Sequence, residues 1–256
     1  MRIAMLGAGN VATHLSKALI NAGFPVAQVW SRNIENAVDL ASQIGANSIA
    51  KIEEVSTDID IVILAVADDA IAEISNRLPI NADRVVLHTS GSTAIDTLNK
   101  HQKFGVLYPL QTFSKNTDLD FSQIPLCIEA NDDDTLNQLN LIANRLSNNV
   151  VFVNSDSRMR LHIAAVFACN FSNYFFGIAQ DLMSGAQLNF DLIRPLIQET
   201  ASKAMEKKPV DVQTGPAKRN DQNTIKKHLE LLESEPTLKE LYALLSQNIV
   251  KKYSES

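Results

Sequence analysis

The sequence predicts an α/β fold. Residues 1–153 form a doubly wound, mostly parallel sheet, and residues 154–256 form an all-α domain. Three observations lead there. Short apolar runs alternate with helical patterns as far as residue 153, the signature of a parallel sheet covered by helices. The run Ile61-Val62-Ile63-Leu64-Ala65-Val66 shows no polar alternation, as a strand buried on both faces requires. After Asn154 the strand signal stops and only helical periodicity continues.

Residues 1–6 read as a short buried strand, followed at once by Gly7-Ala8-Gly9-Asn10-Val11-Ala12. Val11, Leu15, Ala18, Leu19 and Ala22 then share one helical face. Strand, glycine turn and helix make up the Rossmann arrangement for a dinucleotide. Gly7 allows the tight turn, and Gly9 lets the backbone approach a pyrophosphate. Ala12, in place of a third glycine, still permits close helix packing. The helix start offers unpaired N–H groups to the phosphates. Gly7, Ala8, Gly9, Asn10 and Val11 are therefore expected to hold the cofactor.

The second strand, 26–30, ends in Ser31-Arg32-Asn33. An NAD site usually places a carboxylate here for the ribose 2′-hydroxyl. A hydroxyl and a guanidinium suit a 2′-phosphate instead, so Ser31 and Arg32 indicate NADP(H). Glu35 more simply complements the dipole of the next helix, 33–44.

The strand at 61–66 ends in Ala67-Asp68-Asp69. Small Ala67 leaves room for the cofactor, and the two acids are expected to cap the helix at 70–77. Strand 84–88 runs into His88-Thr89-Ser90-Gly91-Ser92. In a doubly wound sheet this end faces the ligand, which places His88, Thr89 and Ser90 near the nicotinamide. Ser92 is the better N-cap for a helix near Thr93. Strands at 105–108, 125–129 and 150–153 and a helix beginning in the Asp132-Asp133-Asp134 cluster complete the domain.

From Ser155 a long helix runs to about Gly185, and its middle, 163–169, is apolar on every side. Such a helix wants burial all round. In a domain of about 100 residues that calls for a second subunit, so a homodimer is expected. His162 and Asn170 on this helix lie eight residues apart, on roughly one face. A histidine has the right pKa to protonate a carbonyl oxygen as hydride arrives, and an asparagine can orient the substrate. Further helices are expected at 191–207, 224–234 and 236–253. The connection at 209–221 exceeds the usual ~2–8 residues between helices, and its Lys218 and Arg219 suit a substrate carboxylate or a phosphate.

The bulk numbers agree with a soluble globular chain. The 256 residues are 45% hydrophobic and 20% charged, with a net charge of -6, which argues against a nucleic-acid partner. Cys127 and Cys169 have no CxxC companion, so buried free thiols are expected, with neither metal nor disulfide. The longest apolar run, 61–67, is far short of the roughly 20 residues that span a bilayer. With Met1 almost inside the first strand, there is no room for a signal peptide. No membrane association and a cytoplasmic location are expected.

These features resemble the two-domain Rossmann NADP oxidoreductases whose helical C-terminal domain has no assigned function. That group is similar to the deazaflavin-dependent NADP oxidoreductases and, more distantly, to pyrroline-5-carboxylate reductases, 6-phosphogluconate dehydrogenases and ketopantoate reductases. The resemblance spans essentially the whole chain. It rests on Gly7 to Ala12, Ser31-Arg32, the turn after His88, Pro109-Leu110-Gln111-Thr112-Phe113, His162 through Asn170, and Thr214-Gly215-Pro216 with Arg219 and Asp221. The group commonly has histidine where Tyr108 stands, and glycine where Asn220 stands. Related dehydrogenases place a lysine one turn before the asparagine; here that position is Val166, which leaves His162 as the proton donor.

The resemblance implies an NADP(H)-dependent oxidoreductase that moves hydride to or from the C=O or C=N carbon of a small carboxylic acid, with a ketopantoate-like 2-oxo acid as first choice. His162 protonates the heteroatom, Asn170 holds the substrate, Arg219 binds its carboxylate, and Ala67 and Ser90 line the nicotinamide pocket. The alternative is an NADP(H)-binding sensor or scaffold without turnover.

Overall fold

The structure, a computed structural model, describes residues 1–114, 117 and 119–254. Among these, the first part of the chain builds an eight-stranded sheet. Its strands are β1 (Ile3–Leu6), β2 (Val26–Trp30), β3 (Asn47–Ile49), β4 (Ile61–Leu64), β5 (Val85–His88), β6 (Lys103–Pro109), β7 (Leu126–Ala130) and β8 (Val150–Phe152). The order across the sheet is β3-β2-β1-β4-β5-β6-β7-β8. All neighbours run parallel except β6 and β7, which pair antiparallel with Tyr108 opposite Cys127.

The unbroken apolar runs have a direct packing cause. Ile3, Met5, Ile61 and Ile63 face one core, which also holds Leu15, Leu19, Leu40 and Ile142 from helices. Their neighbours Ala4, Leu6, Val62 and Leu64 face the other, with Ile71, Ile74 and Leu98. Successive strand side chains point to opposite faces, so a strand covered on both must be apolar at every position. Each fully buried Ile, Leu or Val contributes about 1.5–3 kcal/mol.

The helices of this part are α1 (Asn10–Asn21), α2 (Ile34–Ile44), α3 (Ile71–Arg77) and α4 (Asp133–Leu146). Side chains cap two of them: Asn33 accepts from the Glu35 N–H, and Asp132 accepts from the Thr135 N–H. Gly45 ends α2 in the left-handed conformation at φ 69°. β3 stands as an edge strand whose Asn47 and Ser48 carry no strand signal. Near Thr93 a short 3₁₀ turn, Ile95–Leu98, takes the place of the expected helix.

The long helix begins at Ser155 as α5 (Ser155–Ala165), passes through a π-helical segment, Val166–Phe171, and continues as α6 (Ser172–Gly185). The chain divides into two compact units, Met1–Phe175 and Phe176–Ser256. The sheet ends at Phe152, and the first unit extends through α5 and the π segment. The expected burial of this helix is not met within the chain: Ile163, Phe167, Phe171, Tyr174 and Phe175 are exposed. Cys169 is exposed as well, whereas Cys127 is buried in β7. By length and composition the helix could cross a bilayer, with a mean hydropathy of 1.3 in its most apolar stretch.

The second unit also contains α7 (Arg194–Glu206), α8 (Gln222–Leu231) and α9 (Pro236–Ser254). The Tyr253 hydroxyl donates to the Val210 carbonyl at 3.0 Å, and the Lys218 ammonium lies 5.2 Å from the Tyr253 ring centre. These interactions hold the 209–221 connection to α9.

Candidate active site

The site follows from the register. Leu6 pairs with Trp30 on one side and Leu64 on the other, and Leu64 pairs with His88. Four strands thus end level, and the segments leaving them open on one edge of the sheet, where ligands gather in doubly wound folds. A cleft of about 550 Å³ lies there, within the usual range of roughly 300–1,000 Å³ for a small-molecule site.

Gly7 turns at φ 127°, and a Cβ there would sit 2.0 Å from the Ala65 carbonyl oxygen. Any side chain would collide with the segment leaving β4. At Gly9 a Cβ would meet nothing within 4 Å, since it would project into open space. Helix α1 starts there with no side-chain cap. Its first N–H groups are left for a ligand, which is what a pyrophosphate requires. The chain therefore fits a dinucleotide at this turn.

The structure brings the expected cofactor residues together. Gly7, Ala8, Gly9, Asn10 and Val11 line the cleft together with Ser31, Arg32, Ala67 and Ser90. Asn10 also donates to the Phe113 carbonyl at 2.8 Å, tying α1 to the loop after β6. Trp30 and Arg77 also line the cleft. Arg77 is paired with Glu53 at 3.2 Å. Nothing in the sequence marks it, because a lone arginine ending a short helix reads as a solvated cation.

Three expectations along the next loops are corrected. Asp68 caps no helix; its carboxylate accepts from the Ser92 hydroxyl, and Asp68 lines the cleft. Ser90, not Ser92, acts as the local cap: its Oγ accepts from the Ser92 N–H at 3.1 Å and the Thr93 N–H at 2.9 Å. His88 lies inside the protein with no exposed surface and is not among the residues that line the cleft. Its Nδ1 accepts from the Ser90 N–H at 3.2 Å. Burial, reinforced by the Arg158 charge, lowers its pKa from 6.5 to about 4.

Of the expected catalytic residues, His162 reaches the cleft and Asn170 does not. His162 lies on α5 and lines the cleft with Tyr108, whose hydroxyl is 3.2 Å from His162 Nδ1. Asn170 stands on the exposed π segment outside this lining. Arg219 belongs to the second unit and is exposed. The turn around it is well defined. Asp221 N–H donates to the Pro216 carbonyl at 3.0 Å, and the Asp221 carboxylate caps α8 through Thr224. Those Thr224 hydrogen bonds hold the Asp221 carboxyl below its ordinary pKa. Asn220 takes the left-handed conformation at φ 52°, which explains why glycine also suits this position.

Comparisons with known proteins agree with this geometry. Residues 2–92 match the family described as NADP oxidoreductase, coenzyme F420-dependent, and residues 124–249 match a domain of unknown function (DUF2520). A comparison with curated proteins gave no match. A Bacteroides fragilis protein assigned as an NADP oxidoreductase is 40% identical, with a TM-score of 0.90 over 98% of each chain. A Coxiella burnetii pyrroline-5-carboxylate reductase shares the fold at 18% identity and a TM-score of 0.56, over 99% of this chain and 97% of its own. An Aspergillus terreus reductive aminase in complex with NADPH and ethyl levulinate shares it at 15% identity and a TM-score of 0.70, over 98% of this chain and 94% of its own.

Proposed function

The chain belongs to the NADP oxidoreductase family, and from that premise we propose that it reduces a C=N or C=O group in a small carboxylic acid. One observation carries the proposal: a single cleft of the first unit is lined by the glycine turn, Ser31-Arg32, Ala67, Ser90 and His162. NADPH, when bound, supplies the hydride. The N–H groups opening α1 would hold its pyrophosphate, and Ser31 and Arg32 its 2′-phosphate. His162 would give a proton to the substrate heteroatom.

The neighbours named as a pyrroline-5-carboxylate reductase and a reductive aminase put C=N substrates first. None of those described above supports the ketopantoate-like choice. The exposed apolar face of the long helix supports a homodimer, in which a second copy covers Ile163, Phe167 and Phe171. The free thiols Cys127 and Cys169 suit a reducing compartment, the cytoplasm.

The test has two stages. NADPH and NADH are titrated against the chain, and NADPH oxidation is then screened over cyclic imines and 2-oxo acids that carry a carboxylate. Preferential NADPH binding with turnover supports the proposal. NADPH binding without turnover on any compound would favour the sensor or scaffold reading.

A further inference from the structure

Tyr108, the phenol beside His162 in the cleft, does more than line it. We infer that Tyr108 is a positioning residue that sets the ring proton of His162 on Nε2 and thereby aims an N–H donor at the substrate. The inference rests on the proposed role of His162 and adds a residue to that site.

The geometry comes first. Tyr108 lies near the end of β6, buried to 9% exposure, with its hydroxyl 3.2 Å from His162 Nδ1. The two rings meet edge to face, at 70° and 6.2 Å between centres. They come from elements 54 positions apart, so both elements must be fixed for the contact to exist. β6 is fixed by pairing with β5 and β7. Helix α5 is fixed by Arg158, one turn before His162. The Arg158 side chain is buried against Glu129, and its guanidinium also donates to the carbonyls of Ser90 and Thr93.

The direction of the hydrogen bond follows from satisfaction. A phenol has one proton to give, and a buried donor left without an acceptor costs about 1–3 kcal/mol. Among the described residues, His162 Nδ1 is the partner of the Tyr108 hydroxyl. The phenol therefore donates and Nδ1 accepts. A neutral imidazole that accepts at Nδ1 carries its proton on Nε2. Burial, then Cys127 and Asp68, raise the Tyr108 pKa above its ordinary value, so the phenol holds its proton in the resting site.

Gly91 supports the pair independently. A Cβ at this position would lie 2.7 Å from His162 Nδ1 and 2.8 Å from Tyr108 Cζ. The backbone there is not left-handed, so what excludes a side chain is the pair of rings. Glycine leaves the volume in which the two rings meet.

In the reaction the proton inventory closes. As the substrate heteroatom takes up the electron pair of its double bond, a proton leaves His162 Nε2 for it. The phenolic proton of Tyr108 passes to Nδ1, and the phenolate recovers a proton from solvent.

The test uses the full chain labelled with ¹⁵N at histidine, with His162 identified by the signals lost in His162→Ala. In the neutral wild-type ring, Nε2 should be protonated and Nδ1 should show the unprotonated resonance of a hydrogen-bond acceptor. Tyr108→Phe should move both signals toward the average of two exchanging tautomers. Gly91→Ala should do the same while leaving both rings chemically intact. With substrate, Tyr108→Phe should lower kcat about tenfold or more and leave the KM for NADPH within about twofold. A wild-type ring protonated on Nδ1 would overturn the inference, as would His162 signals unchanged in both variants. These spectra need no turnover. If they come out as expected while His162→Ala retains full activity, the positioning stands and the proposed role of His162 falls.

Discussion

Arg158 and Glu129 form a buried ion pair that joins the first turns of α5 to strand β7, with side-chain exposures of 1% and 10%. The Ser155 N–H completes the pair by donating to the second Glu129 oxygen at 2.9 Å. The same guanidinium holds the carbonyls of Ser90 and Thr93 at 3.2 and 2.5 Å. One side chain thus sets the helix that carries His162 and the loop that carries Ser90. Removing one member of a buried pair leaves an uncompensated charge, which costs about 3–5 kcal/mol. Arg158→Met should lower stability by that order in denaturant unfolding. Adding Glu129→Gln should recover part of the loss, because no stranded charge remains.

His88 makes stability depend on pH. The folded chain holds the ring neutral, with its pKa lowered from 6.5 to about 4, so below 6.5 the unfolded chain binds a proton that the folded chain refuses. The stability is fully present above pH 6.5 and is lost as pH falls toward 4. At roughly 1.4 kcal/mol per pH unit, the loss approaches about 3 kcal/mol. His101, whose pKa burial also lowers, acts in the same direction. Melting curves between pH 7 and 4 should show the decline, and His88→Gln should flatten it while leaving the His101 part.

The proposed function puts the choice of cofactor on Ser31 and Arg32, which line the cleft we assign to NADP(H). Arg32→Ala removes a charge-assisted partner of the 2′-phosphate, which is worth about 1.5–3 kcal/mol. NADPH affinity should fall about tenfold or more in a binding titration, with NADH nearly unchanged. Equal losses for both would remove the 2′-phosphate from this position.

Asn220 tests the backbone of the second unit. Its φ of 52° is tolerated by asparagine and free for glycine. A β-branched residue there carries the left-handed penalty of about 1–2 kcal/mol or more. Asn220→Gly should leave thermal stability nearly unchanged, whereas Asn220→Val should lower it.

The parts of this molecule that were legible in the sequence are those with a local cause. Apolar runs at Ile3–Leu6 and Ile61–Leu64 reveal strands because burial on both faces leaves no polar position. Gly7 reveals its turn because any Cβ would meet Ala65. The unread parts depend on distant partners. Asn47 and Ser48 become a strand only because β2 offers them an edge. The serine that caps the turn at residue 93 is settled by packing, which puts Ser90 Oγ within reach of two N–H groups. Tyr108 signals nothing until α5 brings His162 beside it, and Asn170 lost its place in the cleft lining to the course of the long helix. His88 looked available beside a ligand loop, yet the strand end that carries it is fully covered.

Everything proposed for this chain requires that one cleft of the first unit bind NADP(H) in reach of His162. A crystal structure of the chain grown with NADPH tests that requirement. The pyrophosphate should lie at the N–H groups of residues 9–11, the 2′-phosphate within hydrogen-bond distance of Ser31 and Arg32, and the nicotinamide between Ala67, Ser90 and His162. A cofactor bound elsewhere on the chain would contradict it, as would one whose 2′-phosphate faces solvent away from Arg32.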